Sequence, residues 1–181
     1  MDNFNNKIAV VTGGGTGMGR ELVLQLANEG CNVSMCDVIE ENMQETFDKA
    51  TEQFPDVKIT KHICDVSNEN DVIRFKDEVI AQQETDHVNL LFNNAGIGGG
   101  GSFIHSSREE WDRVFAVCWH GVYYCSRAFM PYILASEEAH IINTSSINGF
   151  WASLGGTPHT SYSAAKFAVK GFSEALIDDF R

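Results

Sequence analysis

The chain has 181 residues, of which 43% are hydrophobic and 21% charged, and it carries a net charge of −12. This composition predicts one compact domain over residues 1–181, and the negative charge argues against nucleic acid or an anionic membrane as partner, because no basic surface can neutralise phosphates. The five cysteines lie in apolar segments without metal-ligand spacing and the six histidines are scattered, which predicts a cytoplasmic protein without a metal site. No apolar run reaches the roughly 20 residues of a membrane span, which predicts a soluble protein.

Short apolar runs rich in Val and Ile alternate along the chain with longer stretches of helical period. The predicted strands cover residues 7–12, 32–36, 57–63, 88–93 and 140–145. Helices are predicted over residues 17–29, 40–53, 69–83, 107–135 and from about 161 to the end. Alternation of strand and helix is typical of right-handed βαβ units and predicts a parallel sheet covered by helices on both faces.

The first predicted strand leads directly into the segment TGGGTGMG, residues 12–19. Gly13, Gly17 and Gly19 lie where a strand turns sharply into a helix, and the absence of Cβ atoms lets the backbone approach a pyrophosphate closely. The helix terminus adds unpaired N–H donors and a partial positive charge. The strand before this turn and the amphipathic helix after it favour a dinucleotide site over a simple tight turn.

Asp37 ends the second predicted strand, where a dinucleotide site holds the adenosine ribose. A carboxylate there can bind the ribose hydroxyls, whereas it would repel a 2′-phosphate by about 4 kcal/mol at about 4 Å and an effective dielectric of about 20. Val38 and Thr16 carry no positive charge that would offset the repulsion. Asp37 therefore favours NAD over NADP, while the simpler interpretation, in which it only caps the next turn, stays open.

The segment YSAAK places Tyr162 and Lys166 four residues apart near the carboxyl end. Positions i and i+4 share a helix face, so that the Lys166 ammonium can lie near the Tyr162 hydroxyl. Bringing a tyrosine pKa from about 10 to near neutrality requires about 4 kcal/mol, which one positive charge at about 4 Å and intermediate dielectric supplies. The pair is therefore capable of acid–base chemistry, although this spacing alone is also typical of a solvated helix face.

Four motifs follow one another in corresponding places of the predicted fold: the glycine turn, FNNAG at 92–96, TSSING at 144–149 and YSAAK at 162–166. In these motifs the whole chain resembles the short-chain dehydrogenases/reductases. The resemblance implies a Rossmann-type, doubly wound parallel α/β sheet with strand order 3-2-1-4-5 that lacks the family's last strands. It also implies an NAD(H)-dependent oxidoreductase that interconverts a secondary alcohol and a carbonyl by hydride transfer.

The resemblance also implies roles for single residues. Tyr162 is implied as the general acid in carbonyl reduction and the base in alcohol oxidation, and Lys166 as the group that lowers its pKa and holds the nicotinamide ribose. Ser146 is implied to bind the substrate oxygen, with Ser145 as the alternative. The implied cofactor-binding residues are Gly13, Gly15, Thr16, Gly17, Met18, Asp37, Asp65, Val66, Asn93, Ala95, Gly96, Tyr162 and Lys166. Asp65 as a helix cap, and Asn93 with Asn94 as partners of backbone groups, are the alternatives.

Two features depart from the family pattern. Cys118 stands where the family usually has an asparagine that holds a water linking the lysine to solvent, which predicts a weakened proton relay. The chain also ends soon after the tyrosine helix, whereas family members continue into further strands, so the fifth strand is expected to present an unpaired edge. These departures favour the alternative of a catalytically impaired, truncated dinucleotide-binding module.

Three further expectations concern the surroundings of the site. The loop with Phe150, Trp151 and His159 is expected to border a small alcohol or ketone substrate, although a packing role for its aromatic residues stays equally open. The glycine-rich segment 97–103 is expected to form a flexible loop at the mouth of the site. Because family dimers often pack these helices together, a homodimer or homotetramer is expected through the helices near 107–135 and 161–181. The resemblance does not identify the substrate.

Overall fold

The computed structural model describes residues 1, 3–99, 101–152 and 156–180 of the chain. The strands are β1 (Ile8–Thr12), β2 (Asn32–Asp37), β3 (Ile59–Ile63), β4 (Leu90–Asn93) and β5 (His140–Asn143). The helices are α1 (Gly17–Asn28), α2 (Glu40–Gln53), α3 (Glu69–Gln83), α4 (Arg108–Phe115), α5 (Gly121–Leu134) and α6 (Thr160–Asp179). Every predicted strand and helix is therefore present, with bounds that shift by a few residues at most.

The five strands form one parallel sheet in the order β3-β2-β1-β4-β5, as predicted. The order reverses between β1 and β4, because the chain crosses from one side of β1 to the other after β3. In an open parallel sheet the loops that follow the two central strands diverge at such a point and leave a crevice between them. This topology places the ends of β1 and β4 together at the expected position of a ligand.

The sheet is covered on both faces because the strand side chains are apolar on both sides. All five residues of β1 are buried; Val11 packs with α1 and α2 on one face, and Val10 packs with α3 and α5 on the other. Phe75 of α3 and Phe129 of α5 meet at 5.6 Å between ring centroids. Burial on both faces explains why the central strands read as continuous apolar runs rather than as alternating patterns.

The prediction of one continuous helix over residues 107–135 is wrong in one respect. A π-helical turn, Ala116–His120, separates α4 from α5, and Cys118 lies at its centre. The Cys118 thiol donates to the Ile97 carbonyl at 3.4 Å, and Gly121 packs so closely on Val66 that a Cβ would lie 2.8 Å from its Cγ2. These two contacts fix the centre of the wide turn and the start of α5. Such turns break the 3.6-residue period and leave no sign in an apolar pattern.

Strand β5 pairs with β4 along one edge, and no strand among the described residues pairs with its other edge. Its four residues are exposed or half-buried, in contrast to the fully buried β1. Among the described helices none combines the length and apolarity of a membrane crossing. The described side chains also bring no three His, Cys, Asp or Glu together as ligands for a metal ion.

All five cysteines are free and buried. Burial raises the pKa of the Cys31 thiol to about 12, and it raises the pKa of the Cys36 and Cys125 thiols as well. Cys64, at the end of β3, adds to the rise at Cys36. These side chains therefore act as small apolar residues of the core.

A buried histidine couples the fold to pH. The His62 ring lies 2.9 Å from Thr60 Oγ1 and 2.9 Å from Glu78 Oε2. Burial lowers its pKa; the Glu78 carboxylate opposes this effect, and Arg74 adds to it. Because the unfolded chain then binds a proton more readily than the folded chain, stability is lost as pH falls below about 6.5.

We expect His62→Gln to show a shallower loss of stability than the parent protein when the urea midpoint is measured from about pH 7.5 down to about pH 5.5. The amide keeps a hydrogen-bonding group in the core but does not titrate in this range. His87→Gln, at the surface beside Asp86, is the matched control. Parallel pH profiles for the parent and His62→Gln proteins would contradict this assignment.

Candidate dinucleotide site and catalytic residues

The glycine turn leaves the amino end of α1 open. Thr16 precedes the helix in an extended conformation without a capping side-chain bond, and the first turn contains no acidic residue. Gly13 has a φ of +68°, and a Cβ there would lie 2.9 Å from the Ala95 Cα; a Cβ on Gly19 would overlap the Gly13 carbonyl. The glycines thus permit the tight turn, and the uncapped N–H groups are available to an anion.

A set of hydrogen bonds ties the end of β1 to the end of β4. The Thr12 hydroxyl accepts from the N–H groups of Asn94 and Ala95, each at 3.0 Å. The Asn94 amide donates to the Thr12 carbonyl at 3.0 Å. This confirms that Asn94 partners backbone groups at the strand end. The contacts fix the two sides of the crevice relative to each other.

Asp37 holds the glycine turn from the side of β2. Its Oδ2 accepts from the Gly15 N–H at 3.0 Å, and its Oδ1 accepts from the Ile39 N–H at 3.1 Å. The turn-capping interpretation of Asp37 is therefore confirmed. It does not exclude ribose binding, because each carboxylate oxygen has a further lone pair and Asp37 also lines the cavity described next.

A cavity of about 840 Å³ runs over the carboxyl ends of the central strands. It lies within the range of about 300–1,000 Å³ that is usual for small-molecule and cofactor sites. Its lining consists of Gly13, Thr16, Met18, Gly19, Asp37, Val38, Ile39, Cys64, Asp65, Val66, Ser67, Asn94, Ala95, Gly96, Ile97, Arg113 and Val117. The open helix terminus, the glycines and this cavity together fit a dinucleotide.

Several predicted cofactor residues lie beside the cavity rather than in its wall. Gly15 is covered by Asp37, since a Cβ there would lie 2.8 Å from Oδ2. Gly17 begins α1 with a φ of +53°. Tyr162 and Lys166 lie on α6, beyond Gly96: a Cβ on Gly96 would lie 3.7 Å from the Lys166 Nζ.

Asp65 is exposed at the rim, where its Oδ1 accepts from the Ser67 N–H at 2.9 Å and from the Ser67 hydroxyl at 2.6 Å. The cap of α3 is Asn68, whose side chain accepts from Asn70 and Asp71, so the interpretation of Asp65 as that cap is wrong. Val66, next to it, is buried against Gly121. Both residues face the cavity from the β3 side.

Asn93 is buried beneath the cavity and does not line it. Its Nδ2 donates to Ser126 Oγ at 2.9 Å and to Asn143 Oδ1 at 2.8 Å, and the Asn143 amide donates to Ser173 Oγ at 2.9 Å. Side chains of α5, β4, β5 and α6 are thereby joined in one polar chain. Asn93 therefore braces the sheet, and its partners are side chains rather than backbone groups.

Lys166 and Tyr162 lie on the same face of α6, as their spacing predicts. The Lys166 Nζ lies 5.6 Å from the centroid of the Tyr162 ring and donates to the Thr144 carbonyl at 2.7 Å. Only 3% of Lys166 is exposed, so the interpretation of the pair as a solvated helix face is wrong. Burial lowers the pKa of the Lys166 ammonium, and Cys118 opposes this effect in part.

The two serines after β5 have different environments. The Ser145 hydroxyl donates to the Lys166 carbonyl at 3.1 Å and so fastens the loop to α6. The Ser146 Oγ instead accepts from the Asn148 N–H at 3.2 Å, which leaves its own proton free to donate. Ser146 is therefore the better candidate for binding a substrate oxygen.

Cys118 and Lys166 both lie close to Gly96. A Cβ built on Gly96 would be 3.8 Å from the Cys118 Sγ and 3.7 Å from the Lys166 Nζ. The thiol is buried and donates a hydrogen bond to the Ile97 carbonyl. Because a thiol is a weak donor and acceptor, it orders a water molecule poorly at this position.

The loop expected to border the substrate is only partly described. His159 lines a second cavity of about 780 Å³, together with Asn148 and Phe167, and neither Ser146 nor Tyr162 lines it. Phe150 and Trp151 are exposed. Residues 153–155 of this loop, and Gly100 of the glycine-rich segment, lie outside the described residues.

Arg20 has a role that the sequence did not indicate. Its guanidinium donates to the Gly15 carbonyl at 2.7 Å and forms an ion pair with Glu45 at 2.9 Å. It therefore holds the glycine turn against α2, and its charge is already paired. An arginine directly after a glycine turn has no distinguishing pattern, so only the packing of α1 on α2 reveals this role.

The sequence matches the short chain dehydrogenase family over residues 7–181. It is 34% identical over 181 residues to the uncharacterized oxidoreductase YxbG of Bacillus subtilis. The alignment covers 99% of this chain and 63% of that protein. The chain therefore spans less than two thirds of the length of this relative.

Two solved structures share the fold. A short-chain dehydrogenase/reductase from Burkholderia phymatum, in complex with NAD, has 35% identity and a TM-score of 0.90, covering 99% of this chain and 62% of that one. A metagenomic short-chain oxidoreductase in complex with NADP has 27% identity and a TM-score of 0.87, covering 98% of this chain and 78% of that one. Both of these similar proteins bind a nicotinamide dinucleotide.

Proposed function

This chain belongs to the short-chain dehydrogenase family, and we propose that it is an NAD(H)-dependent oxidoreductase that interconverts a secondary alcohol and a carbonyl. The observation that carries the proposal is the buried Lys166 ammonium, 5.6 Å from the Tyr162 ring and next to Gly96 at the wall of the dinucleotide cavity. A buried cation beside a phenol has no structural use that an apolar side chain would not serve as well.

The cofactor would be held by the residues that line the cavity. The open end of α1 and the glycine turn suit the pyrophosphate, Asp37 suits the adenosine ribose, and Asp65 with Val66 suits the adenine. A bound nicotinamide supplies the hydride acceptor or donor of the reaction. The cavity extends to Gly96, which lies next to Lys166.

The chain's own residues handle the proton. Tyr162 gives its proton to the carbonyl oxygen during reduction and takes a proton from the hydroxyl oxygen during oxidation. The Lys166 ammonium, 5.6 Å from the centroid of the Tyr162 ring, places a positive charge beside the phenol. The Ser146 hydroxyl, whose proton is free, donates to the same substrate oxygen and stabilises the alkoxide that develops there.

Asp37, which lines the cavity at the end of β2, supports NAD rather than NADP, because its carboxylate would repel a 2′-phosphate. We expect the protein to bind NADH at least about tenfold more tightly than NADPH, and Asp37→Ser to reduce this ratio by about tenfold. Asp37→Ser should also weaken NADH binding, since the Gly15 N–H loses its partner. Fluorescence titration with both cofactors measures the two effects.

Asp56→Ser, in the exposed loop after α2, is the matched control and should leave the cofactor ratio unchanged. Equal affinity of the parent protein for NADH and NADPH would remove the argument from Asp37.

A second candidate is a dinucleotide-binding module without efficient catalysis. Cys118 favours it, because the buried thiol donates to the Ile97 carbonyl and a thiol orders a water molecule poorly beside Lys166. The two candidates share the cofactor site and differ in proton transfer alone. They are therefore distinguished by turnover rather than by binding.

The proposed function is tested by following nicotinamide absorbance with NAD and a panel of secondary alcohols, and with NADH and the corresponding ketones. Oxidoreductase activity with at least one pair is the expected result. NADH binding without any turnover would favour the second candidate. No binding of either dinucleotide would refute both.

Cytoplasmic location and self-association also belong to the proposal. Exposed apolar side chains on α5 and α6, Tyr123 and Phe167 among them, support a homodimer or homotetramer through these helices. The free, buried thiols support a reducing compartment.

A further inference from the structure

Three charged side chains line the dinucleotide cavity: Asp37, Asp65 and Arg113. Arg113 lies in the last turn of α4 and is the one Lys or Arg in this wall among the residues that the structure describes. Two carboxylates repel the two negative charges of a dinucleotide pyrophosphate, and the open end of α1 contributes only a partial positive charge. Binding of such an anion therefore gains from the guanidinium.

The Arg113 guanidinium makes no hydrogen bond or ion pair with the part of the chain that is described. Arg108, five residues earlier on the same helix, instead pairs with Asp112 at 3.3 Å. Carboxylates are available on α4 at Glu109 and Glu110, yet Arg113 does not pair with them. Its charge and its five donors are thus available to a ligand in the cavity.

The position of α4 directs Arg113 toward the cavity. Val117, four residues further along the same helical face, also lines it. The next face of the helix packs against segment 96–99. A Cβ built on Gly99 would lie 3.5 Å from the Val114 Cγ2, and the Cys118 thiol donates to the Ile97 carbonyl. The segment 96–99 therefore lies between α4 and the sheet, and α4 borders the cavity from the side of β4, whereas the glycine turn lies at the end of β1.

We propose that Arg113 binds the pyrophosphate of the dinucleotide from the side opposite to the glycine turn. The planar guanidinium can donate two parallel N–H bonds to two phosphate oxygens. These are the oxygens that the helix terminus on the other side leaves unbound. Arg113 is a binding residue and takes no part in proton transfer. This inference rests on the proposed function, because it requires the cavity to hold a dinucleotide.

The test compares Arg113→Gln with Arg108→Gln by calorimetric titration at low salt. Arg113→Gln is expected to weaken the binding of NADH and of ADP-ribose by about tenfold, and Arg108→Gln to leave both unchanged. Arg113→Lys should recover part of the lost affinity, since lysine keeps the positive charge but lacks the two parallel N–H donors of the guanidinium. Added salt should weaken the parent protein's binding more than that of Arg113→Gln.

Two results would overturn the inference. The first is NADH affinity of Arg113→Gln within about twofold of the parent's. The second is an equal loss of affinity for adenosine, which has no phosphate; this would place the guanidinium against the base instead. If the parent protein itself fails to bind NADH and ADP-ribose, the cofactor assignment of the proposed function falls, and the role of Arg113 falls with it.

Discussion

Tyr162→Phe is expected to lower turnover by about 10²- to 10⁴-fold, because the substitution removes only the hydroxyl that exchanges a proton with the substrate oxygen. The ring itself packs with Val114, Cys118 and Ala165, and Phe preserves these contacts. NADH affinity should change by less than about fivefold, since at most one neutral hydrogen bond is lost. Initial rates and NADH titration on the same preparation measure the two effects.

Tyr123→Phe is the matched control, since Tyr123 is an exposed phenol on α5. It should retain the parent rate. A Tyr162→Phe protein that turns over at the parent rate would refute the assigned acid. Loss of NADH binding together with activity would instead show that the phenol acts in binding.

Lys166→Met should abolish activity and at the same time stabilise the fold, by about 1–2 kcal/mol. The ammonium is 97% buried and has no carboxylate partner among the residues that the structure describes. Its hydrogen bond to the Thr144 carbonyl offsets only part of the cost of removing it from water. Methionine fills a similar volume without that cost. Urea unfolding at neutral pH, with NADH turnover alongside, checks both effects.

The pH dependence of the free energy of unfolding tests independently whether the Lys166 ammonium destabilises the fold. Burial lowers the folded-state pKa of Lys166 below its unfolded value of about 10.5, so the unfolded chain binds more protons between the two values. The cost to stability is fully present below the folded-state pKa and disappears as pH rises toward about 10.5. Lys166→Met should lack this alkaline gain.

Lys170→Met, one turn later on α6, is the control for Lys166→Met. Lys170 pairs with the exposed Glu174, and its loss should change stability by less than about 0.5 kcal/mol. A Lys166→Met protein less stable than its parent would mean that the ammonium stabilises the fold, and the case for a functional buried cation would fail.

The sheet order and the positions of the motifs are predictable from the sequence because they depend on period and chain order. Parallel strands joined by helices must end at one edge, so the segments 12–19, 92–96 and 144–149 converge whatever their detailed contacts. The same reasoning predicts that Tyr162 and Lys166 share a helix face. Burial of Lys166 does not follow, because it depends on how α6 packs on the loop after β5.

The contacts that fix the site depend on three-dimensional packing and leave no sequence period. The π-helical turn, the bond from Ser145 to the Lys166 carbonyl and the use of both Asp37 oxygens by backbone N–H groups are of this kind. Asn93 lies in a strand-end motif next to cavity residues, yet its side chain points into the core. A motif therefore locates a site without stating which member touches the ligand.

The buried cysteines make transient opening of the protein measurable by thiol labelling. A thiol reagent reacts with thiolate that it can reach. All five cysteine side chains are buried, and burial raises the pKa of the Cys31, Cys36 and Cys125 thiols. Alkylation is then limited to transiently open molecules, as hydrogen exchange is. Because Cys64 lies in the wall of the cavity, its labelling rate registers occupancy by any tightly held nucleotide, with no need to know the substrate.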